Sequence, residues 1–595
     1  MSIYKRTVLF TLAVFLFVSL AGWLIKTTQA QSQYVDDEKG DLRSAINVQD
    51  TLDLLSSSDS ITGIGQPPRV GPNIQVNAAQ LAFPNGLLGR SETTTAVSDP
   101  FLNGLLVAGF NDAQGFCGAP FGVACTPQSP PGLSGYGFST DGGMTWNDGG
   151  GPPVINNAFS RGDPWMDRGG FDNLTFYFAN LSVDATTGAS VGVSVHRGHF
   201  SGSTFAWENV RVFNAPNAQN QCQVFGAPAG TLAPCDFYDK EAIAAAKDGS
   251  GAAYVSLTNF KEVCGFAQFG FGQIEVWRTH DAGDIWQGPV IVSPDVTFIT
   301  DPTNASCGFT GTSQQSSVPA IGPNGEVYVA WQFGPTFNPG ASTNAAIKVA
   351  ASFDGGGTFG TPVTVANINS LRGAVPVAYN RDRINDHPRI SVATTGPFKG
   401  RVYVSYASAV APTPAGAISA CPAPNVGQTC RAQQLTSIQA FVAFSDDKGQ
   451  TWTSVPVAPA PPATGLKRWW PVVTVESGGN VDVIYYESVE APVSSGAVCN
   501  VSVAGGANRR RGTAHSLVDV LWAPSTDGGM TFKTPIRVTN TTTDWCRVAS
   551  NIRPNMGDYI GSFSGGNRVF PVWADGRNGV PDTFYATGLG SGKTK

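Results

Sequence analysis

From Gln66 onward, short apolar runs alternate with clusters of Gly, Asn, Asp and Pro, which is the pattern of strands joined by turns rather than of helices. A two-strand unit recurs along this stretch. Val318-Pro-Ala-Ile321 precedes Glu326-Val-Tyr-Val-Ala-Trp331, Pro388-Arg-Ile-Ser391 precedes Arg401-Val-Tyr-Val-Ser-Tyr406, and Pro471-Val-Val-Thr474 precedes Val481-Asp-Val-Ile-Tyr-Tyr486. Further copies begin near Thr93, Asp163, Asp239 and Asp558. Units spaced by about 70 to 90 residues each hold enough chain for a four-stranded antiparallel blade, so the expected fold is an all-β propeller over 66–590. The count is seven blades, with six as the alternative. The last unit, Gly557 to Ala586, runs out after three strands, while Pro72 to Asn77 reads as an orphan strand. If that N-terminal strand completes the last blade, no sheet edge stays open.

Five of the units end in one short motif: Ser139-Thr-Asp141-Gly-Gly143-Met-Thr145-Trp146, Thr279-His-Asp281-Ala-Gly283-Asp-Ile285-Trp286, Ser352-Phe-Asp354-Gly-Gly356-Gly-Thr358-Phe359, Ser445-Asp-Asp447-Lys-Gly449-Gln-Thr451-Trp452 and Ser525-Thr-Asp527-Gly-Gly529-Met-Thr531-Phe532. The second unit lacks it. An Asp carboxylate that accepts amides of its own turn, and a Gly with positive φ, define a hairpin with the aromatic packed beneath. This motif resembles the Asp box, or bacterial neuraminidase repeat, of sialidase-like β-propellers. The resemblance covers Gln66 to Leu589 in architecture. It makes Asp141, Asp281, Asp354, Asp447 and Asp527 structural markers of blades, on the face away from any site.

Composition agrees with strands and turns: 70 Gly and 41 Pro serve turns, and 35 Phe and 13 Trp suit half-buried pleated faces. A net charge of -6 leaves no broad basic face, which argues against nucleic acid; Arg509-Arg510-Arg511 reads as a solvated loop. Residues 1–30 combine Lys5 and Arg6, the apolar run Val8 to Ile25 and Thr28-Gln29-Ala30, the form of an export signal or an uncleaved membrane anchor. Residues 31–65 form a polar leader with at most a short helix around Leu42 to Leu55. The protein is thus expected to be secreted, periplasmic or on the cell surface, and monomeric. Ten cysteines in an exported chain favour disulfides between neighbours: Cys117 with Cys125, Cys222 with Cys235, Cys264 with Cys307, Cys421 with Cys430, and Cys499 with Cys546. No spacing suggests zinc, and no cofactor is called for; Ca²⁺ is the one ion that clustered carboxylates could take.

Long insertions at Asn111 to Gly135, Ala407 to Leu435 and Ser488 to His515 fall on one rim, beside the starts of the innermost strands. Those starts are rich in charged and aromatic residues: Glu92, Asp163 and Trp165, Asp239-Lys240-Glu241, Ser316-Ser317, Asp386-His387-Pro388-Arg389, Lys467-Arg468-Trp469-Trp470 and Asp558-Tyr559. A sugar could stack on Trp165, Trp469 or Trp470 while Asp163, Asp558 and arginines meet its polar groups. The resemblance to sialidases implies a glycoside hydrolase, with Tyr559 as nucleophile, Glu241 assisting it, Asp386 as acid/base, and Arg389, Arg468 and Arg553 as carboxylate clamps. The Arg-Ile-Pro triplet of sialidases is missing: the matching positions read Ser317-Val318-Pro319 and Asp386-His387-Pro388. A non-catalytic propeller that binds glycan or glycoprotein is the alternative.

Overall fold

The computed structural model describes residues 69–589 apart from 82–84, 99–103, 119–122, 155–157, 185–189, 225–227, 263–265, 268–271, 294–311, 336–344, 382–383, 413–417, 421–428, 432–435, 491–514 and 567. The expected export or anchor segment at 1–30, the expected leader at 31–65 with at most a short helix, Arg509–Arg511, and Cys264, Cys307, Cys421 and Cys499 lie outside the described residues. Apart from three single 3₁₀ turns, the described residues hold strands and no helix, and none crosses a membrane as a long apolar helix.

The strands form an all-β propeller arrangement. Arg90–Val97, Leu106–Asp112, Ser134–Ser139 and Asn147–Gly150 make one antiparallel blade. Trp165–Gly169, Thr175–Asp184, Ser190–Ser201 and Thr204–Asn214 make the next, with Ala158–Ser160 added beside its second strand. Two more follow, from Phe237–Ala245 to Gln287–Ile291 and from Thr312–Ile321 to Val363–Ile368. The closing blade joins Gly561–Gly565, Arg568–Asp575 and Asp582–Tyr585 to the N-terminal strand Ile74–Gln75, in the register Ile74↔Tyr585. Five separate sheets thus each hold one four-stranded blade, which corrects the expected count of seven or six. The strands between them form a single nine-stranded sheet. In it, the run beginning at Arg389–Val392 and the run beginning at Leu466–Val475 are tied by one parallel pair, Ile438↔Lys467. Strand-turn periodicity cannot foresee such a bridge.

Each of the five recurring Ser/Thr-x-Asp-x-Gly segments forms the expected hairpin. The Asp Oδ1 accepts the amide four residues on at 2.8–3.0 Å in all five copies. The Ser or Thr two residues earlier donates its hydroxyl to the same carboxylate and accepts the amide of the Gly two residues after the Asp. Trp146, Trp286 and Trp452 each donate Nε1 to the carbonyl of that Gly at 3.0–3.1 Å. Their rings then reach neighbouring blades, Trp146 against Tyr585 at 5.3 Å and Trp286 against Phe213 at 5.3 Å. The second blade, which lacks the motif, turns instead at Gly202 with φ +59° between two long strands. Replacing Asp141 by Ala should therefore speed hydrogen exchange at the Thr145 amide while leaving the innermost strands protected, because the lost bonds are local to one turn.

Disulfides join Cys117 to Cys125 and Cys222 to Cys235. Cys546 is also disulfide-bonded. Non-reducing peptide mapping should recover the two short loops and a peptide linking Cys546 to Cys499; a bond from Cys546 to another cysteine would contradict the pairing expected from the sequence.

Candidate functional site at the hub

The innermost strands share a local irregularity that the repeat sequence does not advertise. Their register shifts between Ser91 and Thr94, between Asp239 and Ala242, between Gln315 and Val318, and between Trp469 and Val472. At each shift one residue turns into the left-handed region: Glu92 (φ 52°), Lys240 (φ 51°), Ser316 (φ 61°) and Trp470 (φ 48°), with Asp163 (φ 56°) at the corresponding place in the second blade. The conformation costs non-glycine residues about 1–2 kcal/mol each. Bulges of this kind re-aim side chains, and such backbone strain concentrates at functional sites. In the closing blade the place is taken by Gly557 (φ 81°), whose missing Cβ would lie 2.3 Å from the Glu92 amide nitrogen.

The re-aimed side chains meet at the hub. Lys240 Nζ lies 2.6 Å from Asp163 Oδ2, 2.9 Å from Asp558 Oδ2 and 3.8 Å from Glu92 Oε1. Arg381 grips both Asp558 oxygens, and the Tyr379 hydroxyl donates to Asp558 Oδ1 at 2.9 Å. Asn111 donates Nδ2 to Glu92 at 2.8 Å and accepts the Asp163 amide at 2.8 Å. Gln315 donates to Asp239 at 2.9 Å. Burial opposes the charge on Asp558, yet Arg381 and Lys240 outweigh it and hold its pKa far below the usual carboxylate range. Burial likewise opposes the charge on Lys240, but Asp163, Asp558 and Glu92 keep it well above the ordinary lysine value. Asp239 is pushed up to about 6 by burial, with Lys240 opposing.

Tyr379 and Arg381 belong to a strap, described at 369–381 and 384–388, between the fourth blade and the nine-stranded sheet. Asp386 secures its base, accepting Ser370 Oγ at 2.5 Å and the Leu371 amide at 2.6 Å. A buried Lys467–Glu490 pair, 3.3 Å apart, holds its middle through the Ala374 and Val375 carbonyls and the Val377 amide. Asn380 and Asn555 exchange amide hydrogen bonds at 3.1 and 2.8 Å beyond that.

A second group of hub side chains is buried and has no partner. Both Glu241 oxygens, both His387 ring nitrogens and the Ser316 and Ser317 hydroxyls make no hydrogen bond. Burial, with Asp163 nearby, raises Glu241 well above the usual carboxylate range, and burial with Arg389 nearby drops His387 well below the usual imidazole value. Orphaned buried polar groups of this kind cost roughly 1–3 kcal/mol each and call for an explanation.

The residues singled out from the sequence divide accordingly. Glu241, Asp163 and Asp558 come together at the hub. Tyr559 is there too, but its hydroxyl donates to the Pro164 carbonyl at 2.8 Å, and burial, with Glu92 and Asp163 adding to it, raises its pKa well above the ordinary tyrosine value. Arg389 lies over the Trp165 ring at 3.7 Å and the Tyr559 ring at 5.2 Å, and donates to the Ile560 carbonyl at 2.5 Å. Burial pulls its pKa down to about 9. Arg468 is committed to Glu487 at 2.7 Å and to Gln439 at 2.8 Å, and Arg553, beside the strap anchor Ile552, is engaged as well. Trp165, Trp469 and Trp470 are buried; Trp469 stacks on Tyr486 at 5.4 Å and Trp470 meets Tyr379 edge-on at 5.8 Å. Sequence reasoning missed Tyr379, Arg381 and Asn111 as hub residues. The signal for the first two was a charged run, Arg381 to Asp386, inside an otherwise apolar strand connection. Among the described residues, the cluster with metal-ligand types is Cys222, Cys235 and Glu262, and its sulfurs are tied in the disulfide.

Two sets of carboxyls titrate in opposite senses. Asp112, Asp239 and Asp482 are each raised to about 6, chiefly by burial, so the stability they contribute is full below about pH 4 and lost as pH rises through 6. Asp447 on the rim is lowered to about 2 by its bonds from Thr451, so its contribution is present above about pH 4 and lost toward 2. The melting temperature should therefore rise as pH is lowered from about 7 to 4.5 and fall below about 3.5. A calorimetric series showing a steady fall from neutral pH downward would contradict this.

No protein-family model matches the chain, and no curated protein does. Among solved structures it is similar to a protein of unknown function from Dyadobacter fermentans, at 13% identity and TM-score 0.39, covering 88% of this chain and 99% of that one. It is similar to the GH93 α-L-arabinofuranosidase of Fusarium graminearum, at 12% identity and TM-score 0.37, covering 70% and 92%. It is also similar to Trypanosoma rangeli sialidase, at 12% identity and TM-score 0.36, covering 71% of this chain and 58% of that one. All three are distant likenesses.

Proposed function

We propose that the protein is an exported carbohydrate-active propeller, a glycoside hydrolase that works on glycans at the hub face. One observation carries this reading: a carboxyl group, Glu241, is buried with neither oxygen bonded, and Ser316, Ser317 and His387 at other innermost-strand starts are buried without partners too. A hydroxyl-rich ring is the ligand that such a set of donors and acceptors satisfies. A carboxyl whose pKa is raised by burial suits the general acid that protonates a leaving glycosidic oxygen. In this reading Tyr559 and Arg389 wall the site. The sialidase-type assignment, with Tyr559 as nucleophile, Asp386 as acid/base and an acidic sugar held by Arg389, Arg468 and Arg553, would require Tyr559 and Asp386 to leave their present partners.

Those engaged partners favour the second reading, a non-catalytic glycan binder. Purified protein on a panel of fluorogenic glycosides, an α-sialoside among them, separates the two. Turnover of any member supports the hydrolase. Binding on a glycan array with no turnover supports the binder.

A further inference from the structure

Glu92 and Asp163 stand on adjacent blades, both in the left-handed region, and one side chain, Asn111, bonds to both residues. Lys240 Nζ also reaches both carboxyls, which sets Glu92 and Asp163 side by side against one cation. Burial and the mutual repulsion of two carboxylates beside a single lysine favour a proton on one of them. Lys240 Nζ is 2.6 Å from Asp163 and 3.8 Å from Glu92, so the cation sits against Asp163 and the proton falls to Glu92. Asp163 is also the less covered partner, with 13% of its side chain exposed against 2% for Glu92. The other charged or titratable groups around the pair are Asp239 and Glu241 on the third blade, Asp558 and Tyr559 on the closing blade, Arg161 on the second, and Tyr379 and Arg381 on the strap. An acidic cluster by itself would define no site. Here the unpartnered Glu241 carboxyl, 2% exposed and near enough to Asp163 for the two to interact electrostatically, supplies the independent sign of a ligand.

We propose that Glu92 and Asp163 form a carboxylic acid–carboxylate pair sharing one proton, held by Asn111 and Lys240, and that Asp163 is the base that complements Glu241 in the hydrolysis. This rests on the hydrolase reading for its chemistry, though the shared proton does not. In the step, Asp163 takes a proton from water as the water oxygen bonds to the anomeric carbon. The bond from that carbon to the glycosidic oxygen breaks, its electron pair stays on the oxygen, and Glu241 delivers a proton there. One water is consumed, a free sugar and an alcohol leave, and proton exchange with solvent restores both carboxyls. Glu92 is a positioning residue, whose hydrogen bond keeps Asp163 ionised.

Two measurements test the pair on the full-length protein. At pH 7, the infrared difference spectrum between wild type and Glu92→Gln should contain the carbonyl stretch of a protonated carboxylic acid, lost in the variant. No such band would overturn the shared proton, whatever the activity. On a glycoside that is turned over, Asp163→Asn should lower kcat by about 10²–10⁴-fold. Glu92→Gln, which still donates a hydrogen bond, should retain most of kcat, and Glu92→Leu should move the acid limb of kcat/KM upward by about one pH unit or more. Equal, pH-independent losses in Glu92→Gln and Glu92→Leu would reduce Glu92 to packing and overturn the positioning role. If no glycoside is turned over, the hydrolase reading and the base role of Asp163 fall together, and the infrared band still decides the pair.

Discussion

Glu241→Gln is expected to lower turnover by about 10²–10⁴-fold while leaving the fold intact. Neither Glu241 oxygen has a hydrogen-bond partner, so the isosteric amide forfeits no bond in the resting protein. Nor does it exchange a buried charge for a neutral group, since burial, with Asp163 beside it, keeps the carboxyl protonated well above its ordinary range. What the amide cannot do is release a proton to a leaving oxygen. The loss should therefore fall on kcat, with unchanged thermal unfolding. In the wild type, activity should decline on the alkaline side as Glu241 deprotonates, and substrates whose leaving groups need no protonation should be less affected by the substitution. Steady-state kinetics on the glycoside that the wild type prefers, with calorimetry on the same samples, checks both halves. A variant with wild-type kcat would remove Glu241 from the chemistry.

The second large effect concerns stability. Asp558 is fully buried and receives Arg381, Lys240 and Tyr379 together, so it joins the closing blade to the strap and the third blade. Asp558→Asn leaves two cations facing each other without their shared counter-charge. Removing one partner of a buried ion pair typically costs about 3–5 kcal/mol, because the other charge stays buried. The urea midpoint should fall accordingly. Adding Arg381→Met to Asp558→Asn should recover part of the loss, since it removes one stranded cation, and the coupling is measured by the double-mutant cycle. Additive losses would show that Arg381 and Asp558 do not act as a unit.

Much of this architecture was legible because it is local. The hairpin bonds of the recurring Asp motif span four residues, from Asp141 to Thr145 for example, and so leave a readable spacing. The N-terminal strand was foreseeable from a blade one strand short and an orphan apolar run, which pair as Ile74 with Tyr585. The innermost strand starts were rich in charge, and Glu241, Asp163 and Asp558 do gather there. What stayed hidden is non-local. Arg381 meets Asp558 across 177 residues, and no periodicity relates a strap to a blade. The partners of Tyr559 and Asp386 include backbone groups, the Pro164 carbonyl and the Leu371 amide, which no choice of side chain reveals. The left-handed turn at Glu92, Asp163, Lys240, Ser316 and Trp470 is likewise silent, because none of these residues is a glycine.

The central claim, that the hub rather than the Asp-box rim meets the glycan, is tested most directly by a hydrogen-exchange footprint. The Glu241→Gln variant would be incubated with the glycan that the wild type hydrolyses or binds. Protection is expected at 90–94, 161–165, 239–242 and 315–318, with the hairpins at 139–146, 279–286, 352–359, 445–452 and 525–532 unchanged. Protection of those hairpins with none at the strand starts would contradict the account.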